Sequence, residues 1–330
     1  MEKPYEPSLT IEETPVERLW LRKSIDTKDK TIAFRKFQIR RLHEIFIEKF
    51  FFLNGLLAIL ILLGIFSLLF FKGFPAIREL GLKSFFGSSV WNPNAYVTPQ
   101  YGILSLITST LMVTFGALVI AVPLGVACAA FISQVASRRV REVLKPAVEI
   151  LAGIPSVVVG FLGIILVNPL IAKLFGISNG LNALNGSILL AIMSLPTIIS
   201  LSEDALRAVP KTYKEASLAL GGNDWQTLIR VLVPSALSGI IASIMLGMGR
   251  AIGETMTVLM ATGNAPALTF NFLDAIQTMT ATIAIELGEV PYNTTHYYAL
   301  FVIGLVLFVM TFVVNLVSDI ILQKYQQVER

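Results

Sequence analysis

Six apolar stretches limit what this chain can become. They cover about residues 50–71, 103–132, 147–172, 186–201, 234–262 and 297–322. Most reach the roughly 20 residues a helix needs to cross bilayer hydrocarbon. Lipid offers no partner to an open backbone, so such runs fold as helices. The expected fold class is an all-α polytopic membrane protein with six transmembrane helices. Composition agrees: 55% of residues are hydrophobic, 15% are charged, and mean hydropathy is +0.73. A net charge of +4 is too small to point to nucleic acid, and no such partner is expected. The surrounding partner is membrane lipid.

The distribution of positive charge sets the orientation. With the N-terminus inside, segments 1–49, 133–146, 202–230 and 323–330 carry 11, 4, 4 and 2 Lys and Arg. The outside loops carry 3, 1 and 0, the last being residues 263–296. Arg250 falls within a span. Both ends are therefore expected in the cytoplasm. Residues 1–49 read as a cytoplasmic N-terminal extension, 50–322 as the six-helix transmembrane domain, and 323–330 as a cytoplasmic tail. Within the extension, residues 3–15 lack a core-forming pattern and read as flexible. Residues 31–49 place apolar side chains at helical spacing among basic ones, the pattern of a short interfacial helix. The polar lead is too long for a cleaved signal peptide. Gly153-Ile154-Pro155-Ser156 should kink the third span.

Residues 202–230 form a polar loop facing the cytoplasm. A helix is expected over about Glu203–Leu220, stopped by Gly221-Gly222. A second should start after Asn223 or Asp224, either a suitable N-cap. Such an elbow is either a solvated connector or a knob that inserts into a soluble partner. The fifth span follows as a long helix. In it Ser235, Gly239, Ser243, Gly247, Ala251 and Thr255 lie four apart, so one stripe has almost no side-chain bulk. Small residues at this spacing let helices approach closely. The stripe is either plain intramolecular packing or a contact that slides between two states. Arg250 and Glu254, also four apart, are expected on one face of that helix. A charge at mid-bilayer costs about 3 kcal/mol and usually marks a pathway or a paired site. The pair either neutralises itself or offers the arginine fork to an anionic solute, with Glu254 holding it in the solute's absence.

No catalytic residue, nucleotide-binding loop or metal-ligand cluster is legible. His43 and His296 stand alone in the sequence. Cys128 lies in an apolar run and reads as a small buried residue. The sequons at Asn185 and Asn293 are assigned no role.

Glu215-Ala216-Ser217, Gly221 six positions after the glutamate, and Val231-Leu232-Val233-Pro234 resemble the EAA loop of ABC importer permeases. Ser and Val stand at three places where that pattern has Ala, Ile and Leu. Ala121–Gly125, Glu149–Val158, Arg250–Met256, Thr280–Glu289 and His296–Phe301 resemble phosphate-specific (Pst) permeases, in particular the PstC-type subunit. The resemblance covers about residues 50–322. It implies a type I importer permease architecture in the inner membrane of a prokaryote. It also implies a heterodimer with a PstA-type permease, two PstB-type ATPase subunits that bind ATP and magnesium, and an extracytoplasmic PstS-type phosphate-binding protein. The chain itself would hold no cofactor. Carried onto this sequence, Arg250 and Glu254 would belong to the substrate pathway, and Glu215, Ala216 and Gly221 to ATPase coupling. Gly239, Ser243 and Gly247 are kept for helix packing. A permease for sulfate or molybdate, an ion-coupled transporter or channel, and a membrane scaffold that does not transport are the competing expectations.

Overall fold

The computed structural model describes residues 15–328, with side-chain surroundings for residues 47–321 and 323. The chain divides into two units between Ile65 and Phe66. The first consists, among its described residues, of one continuous stretch of helix α1 (Pro15–Leu80). Residues 31–49 are helical but run unbroken into the first span, so no separate interfacial helix is delimited. Most of the segment expected to be flexible lies outside the described residues.

From Phe66 onward the described chain is mostly helical. The end of α1 leads to a short helix α2 (Leu82–Phe86) and a two-stranded antiparallel ladder, β1 (Trp91–Asn92) with β2 (Gln100–Tyr101). Then follow α3 (Leu104–Val135), α4 (Arg138–Ala152), α5 (Ser156–Phe175) and α6 (Ala183–Ala208). The rest comprises α7 (Lys211–Ala219), α8 (Asp224–Ser235), α9 (Leu237–Gly253), α10 (Met256–Ala261), α11 (Met279–Glu286) and α12 (Thr295–Val328). Among the described residues five helices are long and apolar enough to span a membrane, and there are six if α8 and α9, bent by 69° to one another, are counted as one span. The expected all-α membrane fold is borne out.

Helix α6 is the centre. Its apolar window is 61% buried, against 0% for the first span, because α3, α9, α5 and α10 all pack on it. Most other long apolar side chains are exposed, as on α1 and α5, where lipid or another subunit supplies the apolar surroundings. Cys128 follows that logic: it is exposed, not buried.

Four boundaries differ from the sequence reading. The third span starts at Ser156, not near residue 147. Residues 138–152 form the separate helix α4, stopped where Pro155 disfavours helical geometry at Ile154. The basic segment read as a loop is therefore largely helix. Helix α6 runs on to Ala208 and ends because Pro210 follows Val209, so Glu203–Ala208 belong to it and not to the elbow. The fifth span is not one long helix. It bends at Ala236, two residues after Pro234, and is interrupted again at Glu254-Thr255. Residues 263–296, read as an outside loop, fold back so that Ile276–Thr282 is fully or nearly fully buried.

Three residues of the small-residue stripe, Gly239, Ser243 and Gly247, lie against α6 within this chain. Ser243 Oγ lies 2.6 Å from Ser202 Oγ, both buried. A Cβ on Gly239 would collide with Ala205, and one on Gly247 would come within 2.8 Å of Ile198. Gly247→Leu should force the two helices apart at a cost of about 1–3 kcal/mol, the usual penalty of overpacking. The expected result is a lower melting temperature in detergent and a poorer yield of assembled complex. An unchanged melting temperature would refute the packing role.

Candidate functional site

The elbow is built from two short arms. Helix α7 ends in a Schellman turn: Gly221, at φ +87°, donates its N–H to Leu218 O at 3.0 Å, and Gly222 donates to Ser217 O at 3.0 Å. The next arm starts in a capping box. Asn223 Oδ1 accepts from Gln226 N at 2.8 Å, and Gln226 Oε1 accepts from Asn223 N at 3.1 Å. Ser217 Oγ and Thr227 Oγ1, 2.8 Å apart, tie the arms together. Ser217 thus stands where the family pattern has alanine and braces the bend. Glu215 and Ala216 are exposed on α7, beside Tyr213 and Leu218. Leu220 is 90% and Trp225 69% exposed at the tip. An elbow this rigid, with large apolar side chains facing outward, can seat in a partner's groove.

Behind the elbow, α4 is tied to α6. Glu203, only 1% exposed, accepts a hydrogen bond from Lys145 Nζ at 2.8 Å. That bond holds the lysine's pKa above its ordinary value. Arg207 Nη1 lies 3.1 Å from the other carboxylate oxygen, at ion-pair distance but outside hydrogen-bond geometry. Arg141 caps the end of α3, donating to Ile132 O at 2.8 Å and Ser133 O at 2.6 Å. Sequence reasoning missed this cluster. Its only signal was a carboxylate at the end of an apolar span, 58 residues from its lysine.

Arg250 and Glu254 do not share a helix face. Arg250 sits in the last turn of α9, where a cation suits the negative end of the helix dipole. Glu254 already has extended geometry (φ −68°, ψ 131°). The helix stops because Gly253 and Thr255 are weak helix formers and Glu254 finds partners off the helix axis. Its Oε1 accepts from Thr257 N at 3.3 Å, and its carbonyl accepts from Thr280 Oγ1 at 2.8 Å. The guanidinium of Arg250 is exposed, with Nη1 3.4 Å from Thr197 Oγ1 on α6. Among the described residues no ion pair joins Arg250 to Glu254. The self-neutralising pair is therefore not formed, and the guanidinium keeps most of its donors exposed. Unwound backbone at membrane depth is tolerated where protein buries it or a cavity is lined.

The two sequons fall in different settings. Asn185 is buried and donates from Nδ2 to Gly163 O and Gly180 O, each at 3.2 Å. Asn293 takes a left-handed turn at φ +62°. His296, isolated in sequence, lies 2.7 Å from Glu286.

Residues 121–327 match the family model described as the binding-protein-dependent transport system inner membrane component. A probable ABC transporter permease protein, YqgH of Bacillus subtilis, is 39% identical over 257 residues, covering 77% of this chain and 81% of that one. The phosphate transport system permease protein PstC of Mesorhizobium japonicum is 35% identical, covering 81% and 86%. That of Haemophilus influenzae is 32% identical, covering 83% and 91%. Among solved structures, an inward-facing form of the MetNI methionine ABC transporter is similar in fold. Its TM-score is 0.51 at 20% identity, covering 68% of this chain and 94% of that one.

Proposed function

Since the chain belongs to the binding-protein-dependent transport system inner membrane component family, we propose that it is a PstC-type membrane subunit of an ATP-driven phosphate importer. It is a transport subunit, not an enzyme. It forms half of a translocation pathway in the inner membrane of a prokaryote. The other half is a PstA-type permease. Two PstB-type ATPases bind ATP and magnesium and dock on the elbows. A PstS-type protein delivers phosphate from outside.

The observation that carries this reading is the 31–35% identity to PstC proteins over about three quarters or more of the chain. The geometry supports it in two places. The exposed arginine at the break of the fifth span has the charge and the fork to hold an oxyanion. The braced elbow, with Glu215, Ala216 and Gly221, is suited to relay a partner's movement.

The test is uptake by the purified complex in proteoliposomes, with ATP inside and phosphate-loaded binding protein outside. Phosphate should accumulate only with ATP, and sulfate should not substitute for it. Equal sulfate uptake would shift the reading to another oxyanion. Phosphate transport by the isolated chain without ATP would refute it.

A further inference from the structure

Helix α11 is bonded at both ends to segments far from it in sequence. At its start, Thr278 caps the helix, its side chain accepting from Ala281 N. Met279 N donates to Thr110 Oγ1 on α3 at 3.0 Å, in a buried setting. Thr280 Oγ1 donates to the carbonyl of Glu254 at 2.8 Å. At its end, Glu286 accepts from Trp91 Nε1, at 2.9 Å to one carboxylate oxygen and 3.2 Å to the other. His296 Nε2 sits 2.7 Å from Glu286 Oε2. The rings of Trp91, Tyr101 and His296 pack edge-to-face, with centroids 6.0–6.5 Å apart. The Glu286 side chain is 18% exposed and that of His296 10%.

Eight residues of helix span about 12 Å. So short a helix moves as a rod. Met279 fixes its inner end to α3 as a pivot. The rod also packs along α12, and among the described residues Glu286 is the one that grips its outer end through charged or strongly polar side-chain contacts. A tilt at Glu286 would swing Thr280 and draw on the unwound backbone at Glu254, which no helix holds. Two of the stretches that resemble PstC-type subunits, Thr280–Glu289 and His296–Phe301, thus meet at one carboxylate.

We infer that Glu286 is a positioning residue for Glu254: by pinning the outer end of α11 to Trp91 and His296, it holds the Glu254 backbone where the pathway needs it. The inference rests on the reading of Glu254 as a pathway residue. The outer ladder β1–β2 is by the same route connected to the break in the fifth span.

The test uses the assembled complex in proteoliposomes with inorganic phosphate as the probe. Uptake is measured per ATP hydrolysed with every tryptophan of the chain in place, and Trp91 fluorescence is followed separately in the purified full chain, with Trp20 and Trp225 replaced by phenylalanine for that readout alone. Glu286→Ala should lower uptake per ATP about tenfold, the scale expected when a pathway group is misplaced. Glu286→Gln keeps an acceptor for Trp91 and should recover to within about threefold of the parent. Thr280→Val, nearly isosteric, should lower uptake like Glu286→Ala but leave Trp91 emission unchanged, whereas Glu286→Ala should shift it. Because both act through one rod, the double variant should be no worse than the worse single. Multiplied losses in the double variant would overturn the inference. Parental uptake by Glu286→Ala, alongside lost uptake in Glu254→Gln, would overturn it and spare the pathway reading. Parental uptake by Glu254→Gln would sink that reading, and the positioning role with it. Should Glu286→Ala fail to assemble, Thr280→Val decides: reduced uptake by an intact complex supports the role, and parental uptake overturns it.

Discussion

Arg250→Gln should reduce phosphate uptake about a hundredfold, the usual loss when a preorganised donor to an anion is removed, while the complex still assembles. The asymmetry follows from where the side chain sits. Arg250 is exposed, and its one resolved contact is a long 3.4 Å bond to Thr197. Removing so little should change stability by no more than about 0.5 kcal/mol. An oxyanion passing the break would lose two parallel charge-assisted bonds at once. Arg250→Lys keeps the charge and loses the fork, so it should fall between the parent and the glutamine variant. The measurements are initial uptake rates in proteoliposomes and subunit stoichiometry of the purified complex. Undiminished uptake by Arg250→Gln would remove this residue from the pathway.

Gly221→Val should uncouple ATP hydrolysis from uptake. Gly221 holds φ at +87°, and nothing lies within 4 Å of the place a Cβ would take. Space is therefore not the obstacle; the backbone is. A β-branched residue in this region costs about 1–3 kcal/mol. The chain can relieve that strain by opening the Schellman turn, which breaks the bonds to Ser217 and Leu218 and loosens the brace to Thr227. Uptake per ATP should fall by at least about fivefold for a strain of that size, at about 1.4 kcal/mol per tenfold. Gly221→Asn, which tolerates left-handed geometry, should retain most coupling. A valine variant that transports as the parent does would show that the bend need not be rigid.

Hydropathy made the spans and their order legible, since each is a local property of consecutive residues. The elbow was legible too, because Gly221-Gly222 and Asn223 are local stop and start signals. What escaped was non-local. Lys145 and Glu203 read as loop charges because nothing in either neighbourhood says that one is buried against the other. His296 looked solitary because Trp91, which packs on it and shares its carboxylate, lies about two hundred residues away. The i, i+4 spacing of Arg250 and Glu254 misled for a related reason. It assumes an unbroken helix, and the break is stabilised by Thr280 from another segment. The small-residue stripe was seen but left undecided, because spacing alone does not say which surface it meets.

That surface belongs to the same polypeptide, and this restricts how an opening can happen. With Gly239, Ser243 and Gly247 fitted against Ala205, Ser202 and Ile198, α6 and α9 are keyed like a dovetail joint and resist shear. Arg250 and Thr197 ride on the two halves of that joint. Under the proposed function, a stroke delivered at the elbow would swing the joined pair as one lever, and an aperture for the anion would widen along the seam with the neighbouring subunit and not within this chain.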